Sequence, residues 1–165
     1  MPDYRNKEVI TPGKALEKAM DYCARQERSY KQVMDKLKEW GMDDETAENI
    51  GVDLITRNFL NEERFAKAYA RGKFNINGWG RVKIKYGLQQ HKVSERNSLT
   101  AIEEIDEDDY LCRLKSLIEK KMISTKAKNE FEKEQKVMQY AASRGYEFEV
   151  IKTAIKEIKD GNTGG

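Results

Sequence analysis

The chain has 165 residues, 31 of them basic and 29 acidic, so a net charge of only +2 hides a sequence in which more than a third of the side chains are charged. Leu, Ile, Val and Phe make up one fifth of it, at the margin of disorder, but the low net charge and the bulk of eight Tyr, six Met and two Trp favour a folded, thin-cored and elongated protein. No apolar run reaches the length of a membrane span, the segment Met1 to Ile10 is too polar for a signal peptide, and no Cys/His cluster offers a zinc site, which leaves a soluble cytoplasmic protein as the expectation.

Both prolines, Pro2 and Pro12, fall in the first dozen residues, so the rest of the chain is free to form helices. Residues 1–11 are expected to be an N-terminal arm. Thr11-Pro12 is a helix start, with Thr as N-cap and Pro as first helical residue. After a break near Gln26 to Arg28, Ser29 and Gln32 have capping-box spacing and predict a second helix, running to Trp40. Asp43 caps a third, which carries Ala47, Ile50 and Leu54 at steps of three and four. Asn61 opens a fourth, with Phe65 and Tyr69 on one face. Further helices are predicted over Gly80–His91, Ser94–Glu104, Asp108–Ile123, Lys126–Arg144 and Glu147–Lys159, followed by a disordered tail over 161–165.

Val82-Lys83-Ile84-Lys85-Tyr86 alternates apolar and basic residues, which is strand spacing. An internal repeat assigns it to a helix instead. Aligned on Gly41, Lys92 and Gly145, the chain places Val33, Ile84 and Val137 eight residues before each anchor, and Leu37, Leu88 and Ala141 four before. Met42, Val93 and Tyr146 follow by one, the caps Asp43, Ser94 and Glu147 by two. Ile50, Ala101 and Ala154 follow by nine, and Leu54, Ile105 and Ile158 by thirteen. Six matched columns predict an all-α protein of three tandem three-helix repeats in an elongated, curved array, over residues 12–60, 61–105 and 106–160.

The second repeat carries the charge asymmetry. From Arg64 to Lys92 there are eight basic residues and no acidic one, while Glu103 to Asp109 holds six acids in seven positions. The basic segment, interleaved with Tyr69, Phe74, Trp79 and Tyr86, suits a phosphate backbone or an acidic protein surface, against the plainer reading that it solvates a helix face. With Ile84 and Leu88 facing in, Val82 and Tyr86 fall on the opposite, outer face among cations. Val82 and Tyr86 are therefore expected to pack on a partner, or on a neighbouring repeat. The candidate partner and nucleic-acid contacts are Arg71, Lys73, Trp79, Arg81, Val82, Lys83, Lys85 and Tyr86.

Catalytic signals are absent. The single histidine, His91, is expected at a helix end on the surface with no serine or cysteine partner. No phosphate-cradling glycine loop occurs, Gly78-Trp-Gly80 reading as an inter-helix turn. The acids of the run point round a helix rather than converge on a metal, so no cofactor is expected. Cys23 and Cys112 lie outside any paired motif and are expected to be half-buried, inert thiols without a disulfide.

The stretch Phe65-Ala-Lys-Ala-Tyr-Ala-Arg71, then Gly80-Arg-Val-Lys-Ile84, Leu88 and Val93-Ser94, resembles the bacterial RecX family, whose pattern is FAxxYxR, G-x-x-x-I, a following Leu and a turn usually reading Lys-Gly-Ile. Ser29, Leu37, Gly41 and Phe59-Leu60-Asn61 are similar to it as well, and the resemblance spans about Lys14 to Ile123. Two departures stand out: Lys92 occupies the glycine position of the turn, so that turn either avoids a left-handed backbone or accepts strain, and Tyr86-Gly87 replaces a pair that more often contains Glu. The resemblance implies a non-enzymatic, monomeric cytoplasmic regulator that binds the RecA–single-stranded DNA filament along its groove. It would restrain strand exchange and the coupled ATPase, and so affect DNA repair and the SOS response. Two other readings of the residues remain: a helix-turn-helix DNA-binding protein, which the acidic start of the third helix (Asp43, Asp44, Glu45, Glu48) disfavours, and a helical-repeat scaffold for protein partners.

Overall fold

A computed structural model describes residues 10–163, which form nine α-helices and no strand: α1 Pro12–Arg25, α2 Tyr30–Glu39, α3 Asp44–Thr56, α4 Glu62–Asn75, α5 Arg81–Gln90, α6 Glu95–Glu103, α7 Glu107–Ser124, α8 Glu130–Ser143 and α9 Phe148–Thr163. Five of the expected caps are in place, whereas the Glu147 carboxylate accepts from Arg81 and Tyr110 instead. Thr11 accepts from Lys14 N–H, Asp43 from Thr46, Asn61 from Arg64 and Ser94 from Asn97, and Ser29 with Gln32 closes a full capping box. Each such cap is worth about 1 kcal/mol. Two starts differ from expectation. Asp106, rather than Asp108, caps α7, and α8 starts only after Asn129, whose side chain caps it by accepting from Glu132 N–H. At the far end α9 runs to Thr163, into the segment expected to be a disordered tail. Of the expected arm, residues 1–9 lie outside the described residues.

Extensive helix packing falls within the triplets α1–α3, α4–α6 and α7–α9. The aligned columns are the core: Val33, Ile84 and Val137 are fully buried, as are Leu37, Leu88 and Ala141. The first helices of repeats 1 and 2 bury small residues one turn apart, Ala15, Ala19 and Cys23 in α1 and Ala66 and Ala70 in α4, which let α1 and α4 approach their neighbours closely. The turn between second and third helices is one motif made three times. Met42, Val93 and Tyr146 N–H each donate five residues back, to Leu37, Leu88 and Ala141 carbonyls at 3.0–3.2 Å, and the anchors take left-handed φ of 91° (Gly41), 60° (Lys92) and 98° (Gly145). Lys92 therefore keeps the turn and bears the strain of a side chain there.

Gly87 has a local cause. A Cβ at this position would collide with the Tyr69 hydroxyl, which leans from α4 onto α5. The helix-weakening glycine makes room for a ring, and Tyr69 is a packing residue.

The two junctions between repeats use the same place with different chemistry. In both, the start of a second helix meets the second turn of the next repeat. At the first junction Ser29 Oγ lies 3.2 Å from His91 Nδ1, and Arg64 pairs with Glu27 while its Nη2 donates to the Asn58 carbonyl at 3.0 Å. His91 does have a serine partner, contrary to expectation, because the partner comes from 62 residues away. The hydroxyl also caps α2, so it is committed to structure. At the second junction Gly80, Arg81 and Val82 N–H donate to the Arg144 carbonyl, the Tyr110 hydroxyl and the Gly145 carbonyl at 2.9–3.0 Å. Helix α5 has no capping side chain of its own; repeat 3 supplies the cap. Accordingly repeats 2 and 3 share one hydrophobic cluster, from Phe65 to Ile155, whereas repeat 1 has its own, from Ala15 to Leu60. Cys23 belongs to that smaller core, and burial raises its thiol pKa; Cys112 is exposed rather than half-buried.

Burial, with Lys31 and Lys73 nearby, lowers the His91 pKa below its ordinary value, and its ring packs edge-on against Phe65 and Tyr69. The neutral ring is thus the form that fits, and Glu27, the nearest acid lining this region, is engaged by Arg64. An unfolded His binds a proton more readily, so stability is full above the unfolded value and falls as pH drops from there through the folded one. We expect a lower urea midpoint at about pH 5.5 than at about pH 7.5, with His91→Gln reducing that difference; an equal difference in the variant would exclude His91 as its source.

Candidate functional site

The segment from Arg64 to Lys92 supplies eight cations, but folding neutralises half of them with acids from outside that segment. Arg64 pairs with Glu27, Lys67 with Glu63 and Glu104, Arg81 with Glu107 and Glu147, and Lys85 with Glu95 at 3.1 Å. Two acids of the run over 103–109, Glu104 and Glu107, thus pair with cations of the basic segment. Arg71, Lys73, Lys83 and Lys92 have no carboxylate within ion-pair distance among the described residues.

These placements divide the candidate residues. Arg81 has partners within the chain. Its guanidinium lies 3.9 Å above the Tyr110 ring and its side chain is only 19% exposed. Lys85 is held by Glu95 across the α5–α6 turn. Val82 and Tyr86 are 56% and 63% exposed on the outer face of α5, so no neighbouring repeat covers them. Arg71 is exposed on α4.

Lys73, Trp79 and Lys83 come together. The α4–α5 turn wraps back so that Trp79 N–H donates to the Lys73 carbonyl at 3.0 Å, aided by the left-handed φ of 68° at Gly78. The half-buried indole then receives the Lys73 ammonium 4.7 Å and the Lys83 ammonium 4.6 Å from its ring centre. Each contact is worth about 0.5–1 kcal/mol and offsets the mutual repulsion of the two charges. The stem of Lys83 is fixed from the other side, for a Cβ on Gly145 would collide with Lys83 Cβ. The arrangement offers an aromatic edge and two unpaired ammoniums, with Arg71 on the same repeat, which is the chemistry that grips a phosphate backbone while a base or apolar group rests on the ring.

Sequence reasoning missed Ile76, the C-cap of α4, which is 81% exposed within the same turn. A large aliphatic residue just past a helix end, with no column in the repeat, was the available signal. It also missed which cations are neutralised, because their partners lie far away in sequence.

Comparison with known proteins gives a consistent pattern. The RecX first three-helix domain matches residues 15–50, the second 61–98 and the third 107–155. A regulatory protein RecX from Prosthecochloris aestuarii is 30% identical over 145 residues, covering 88% of this chain and 93% of that protein. One from Clostridium perfringens is 29% identical over 133 residues, 79% of this chain; the match spans 62% of the relative's own length. The crystal structure of RecX from Lactobacillus salivarius superposes with a TM-score of 0.82 over 90% of this chain and 96% of that one, at 23% identity, which speaks to the fold.

Proposed function

The chain belongs to the RecX family of regulatory proteins, and from that premise we propose that it binds the RecA–single-stranded DNA filament and restrains the recombinase, by binding rather than catalysis. The observation that carries the reading is the platform on repeat 2. Trp79 is flanked by Lys73 and Lys83, neither neutralised, beside the outward-facing Val82 and Tyr86. Cations set there meet phosphates, and the apolar pair supplies a dry contact to protein. A slender array of repeats suits a groove, which a compact domain would bridge rather than follow. Cytoplasmic location and a monomeric state accompany this reading. Among the described residues no helix is long and apolar enough to cross a membrane.

The test is recombinase ATP hydrolysis on single-stranded DNA, followed over time with added protein. Stoichiometric wild type is expected to slow hydrolysis, and Lys73→Glu with Lys83→Glu to raise the concentration required by about tenfold or more at low salt. Lys85 is left alone because Glu95 already neutralises it. No inhibition by wild type would overturn the reading. Sequence-preferring binding to naked duplex would favour the helix-turn-helix alternative, against which the acidic first turn of α3 stands. Inhibition undiminished in the charge-reversed protein, but lost in Val82→Ser with Tyr86→Ser, would favour a purely protein-directed scaffold.

A further inference from the structure

A second cationic surface lies on repeat 3, where sequence reading placed none. An open cleft of about 550 Å³ runs between the α4–α5 turn, α7 and α8. Arg113, Lys120 and Lys121 of α7 and Arg144 at the end of α8 line it, and no acidic side chain does. None of the four has a carboxylate within ion-pair distance among the described residues. On a protein with nearly equal numbers of acids and bases, four unneutralised cations in one concavity are not the expected outcome of a solvated surface. Elsewhere on repeat 3 Lys115 pairs with Glu157, Lys136 with Glu132 and Lys152 with Glu149, whereas the cations of the cleft share one concavity with no acid in its lining.

The fold positions three of the four. Arg144 donates to the Asn77 carbonyl, which ties α8 to the α4–α5 turn and leaves its buried Nε without a hydrogen-bond partner. Arg113 packs its guanidinium 3.4 Å from where a Cβ on Gly78 would stand. Lys121 lies over the Tyr140 ring at 4.3 Å, repeating the cation-on-aromatic arrangement of Trp79. Arg113 and Lys120 are two turns apart on α7, about 10.5 Å along the axis. That spread is too long for one tightly coordinated small anion and suits charges presented in series.

We infer that this cleft binds the phosphodiester backbone of a single-stranded nucleic acid, as a contact separate from the Trp79 platform. Asn77 and Gly78 line the cleft and Trp79 follows them directly, so one turn separates the two cationic surfaces. The lining is polar and its cations are spread along it, a surface that follows a backbone without reading sequence. An acidic protein partner would want apolar anchors, and the only aliphatic side chain in the lining, Leu117, is half-buried in the core. The inference uses the proposed function only in expecting nucleic acid nearby, and its test needs no recombinase.

The experiment is fluorescence anisotropy of a labelled oligothymidylate with the full chain over a series of chloride concentrations. Arg113→Gln with Lys120→Gln is expected to weaken binding about tenfold at low salt and to make the log–log salt dependence shallower by about 1.4, which is 0.7 for each of two lost phosphate contacts. Arg144 is kept because it holds the turn, and an unchanged melting temperature verifies the fold. Lys73→Glu with Lys83→Glu should add a further, independent loss. An unchanged slope in the Arg113/Lys120 variant overturns the inference, even if the filament is still inhibited. So does displacement of the oligonucleotide by inorganic phosphate far beyond chloride at matched ionic strength, which would make the cleft a small-anion site. Loss of binding to polyglutamate with oligonucleotide affinity intact would equally exclude it.

Discussion

Gly80→Ala is expected to destabilise the block formed by repeats 2 and 3 by about 2–4 kcal/mol, although alanine normally tolerates this backbone. The φ of −79° at Gly80 is open to any residue, and a Gly→Ala change at a compatible position stabilises by about 0.4–1 kcal/mol through the unfolded chain. Against that gain stands the backbone of repeat 3. A Cβ would run into the Gly145 carbonyl and the Tyr146 nitrogen, main-chain atoms that cannot swing aside. Opening the junction to make room also breaks the three N–H bonds that cap α5, each worth about 1 kcal/mol. The clash and the lost caps outweigh the entropic gain. The measurement is urea unfolding with the two tryptophans separated: Trp79 reports the junction in a Trp40→Phe background, and Trp40 reports repeat 1 in a Trp79→Phe background. The Trp79 transition should move to lower urea and the Trp40 transition much less. Gly13→Ala, at a site open to solvent, should leave both unchanged or slightly raised. A Gly80→Ala protein as stable as wild type would mean that the junction does not hold the two repeats together.

Arg81→Ala is expected to cost about 2–3 kcal/mol of stability while leaving partner affinity per folded molecule unchanged. The arginine joins three elements. Its Nη1 donates to Glu147 at 2.9 Å, its ring contact is Tyr110, and the Tyr110 hydroxyl donates to Glu147 in turn. Burial, then the bond to Glu147, holds Tyr110 in its protonated form far above the ordinary range, so it remains a donor at any physiological pH. Removing the guanidinium leaves the Glu147 carboxylate with a single donor in a half-buried place. The second pair, to Glu107, contributes little because that carboxylate is almost fully exposed. Glu107→Ala should therefore change stability by less than about 0.5 kcal/mol. Thermal melts of both variants, with filament inhibition measured where the protein is folded, separate the roles. Intact stability with lost inhibition in Arg81→Ala would return Arg81 to the contact surface.

The contrast between Arg81 and Lys83 shows how far the sequence can be read. Helix starts were legible because a cap and its N–H acceptor lie within three residues, as with Ser29 and Gln32. The buried faces were legible because Ile84 and Leu88 recur in register with Val33 and Leu37, and the same register put Val82 and Tyr86 outside. What sequence spacing does not carry is the meeting of separate turns. Arg81 and Lys83 look alike in a basic run, yet one finds carboxylates at Glu107 and Glu147 and the other finds only an indole. His91 looked solitary because Ser29 belongs to another repeat. Lys92 is the intermediate case: the glycine position identified the turn, and only the structure shows that lysine takes the left-handed backbone unaided. The candidate site was therefore half legible, as a region but not as a set of free charges. The cleft on α7 was hidden because Glu119 and the acids at the start of α7 dilute its cations along the chain, while the helix turns them away.

The borrowed cap of α5 sets an order of events during synthesis. Repeat 1 closes its own core within its first sixty residues and can fold while the rest is still being made. Repeat 2 cannot finish in the same way. Arg81 must wait for Glu147, 66 residues later, which at about 5–20 residues per second is several seconds of translation. Throughout that interval the first turn of α5, the very segment that carries Lys83 and Val82, is on the ribosome without its hydrogen-bond acceptors. A stop or a cleavage that removes the end of repeat 3 would thus release a chain with a sound first repeat and an unfinished working surface.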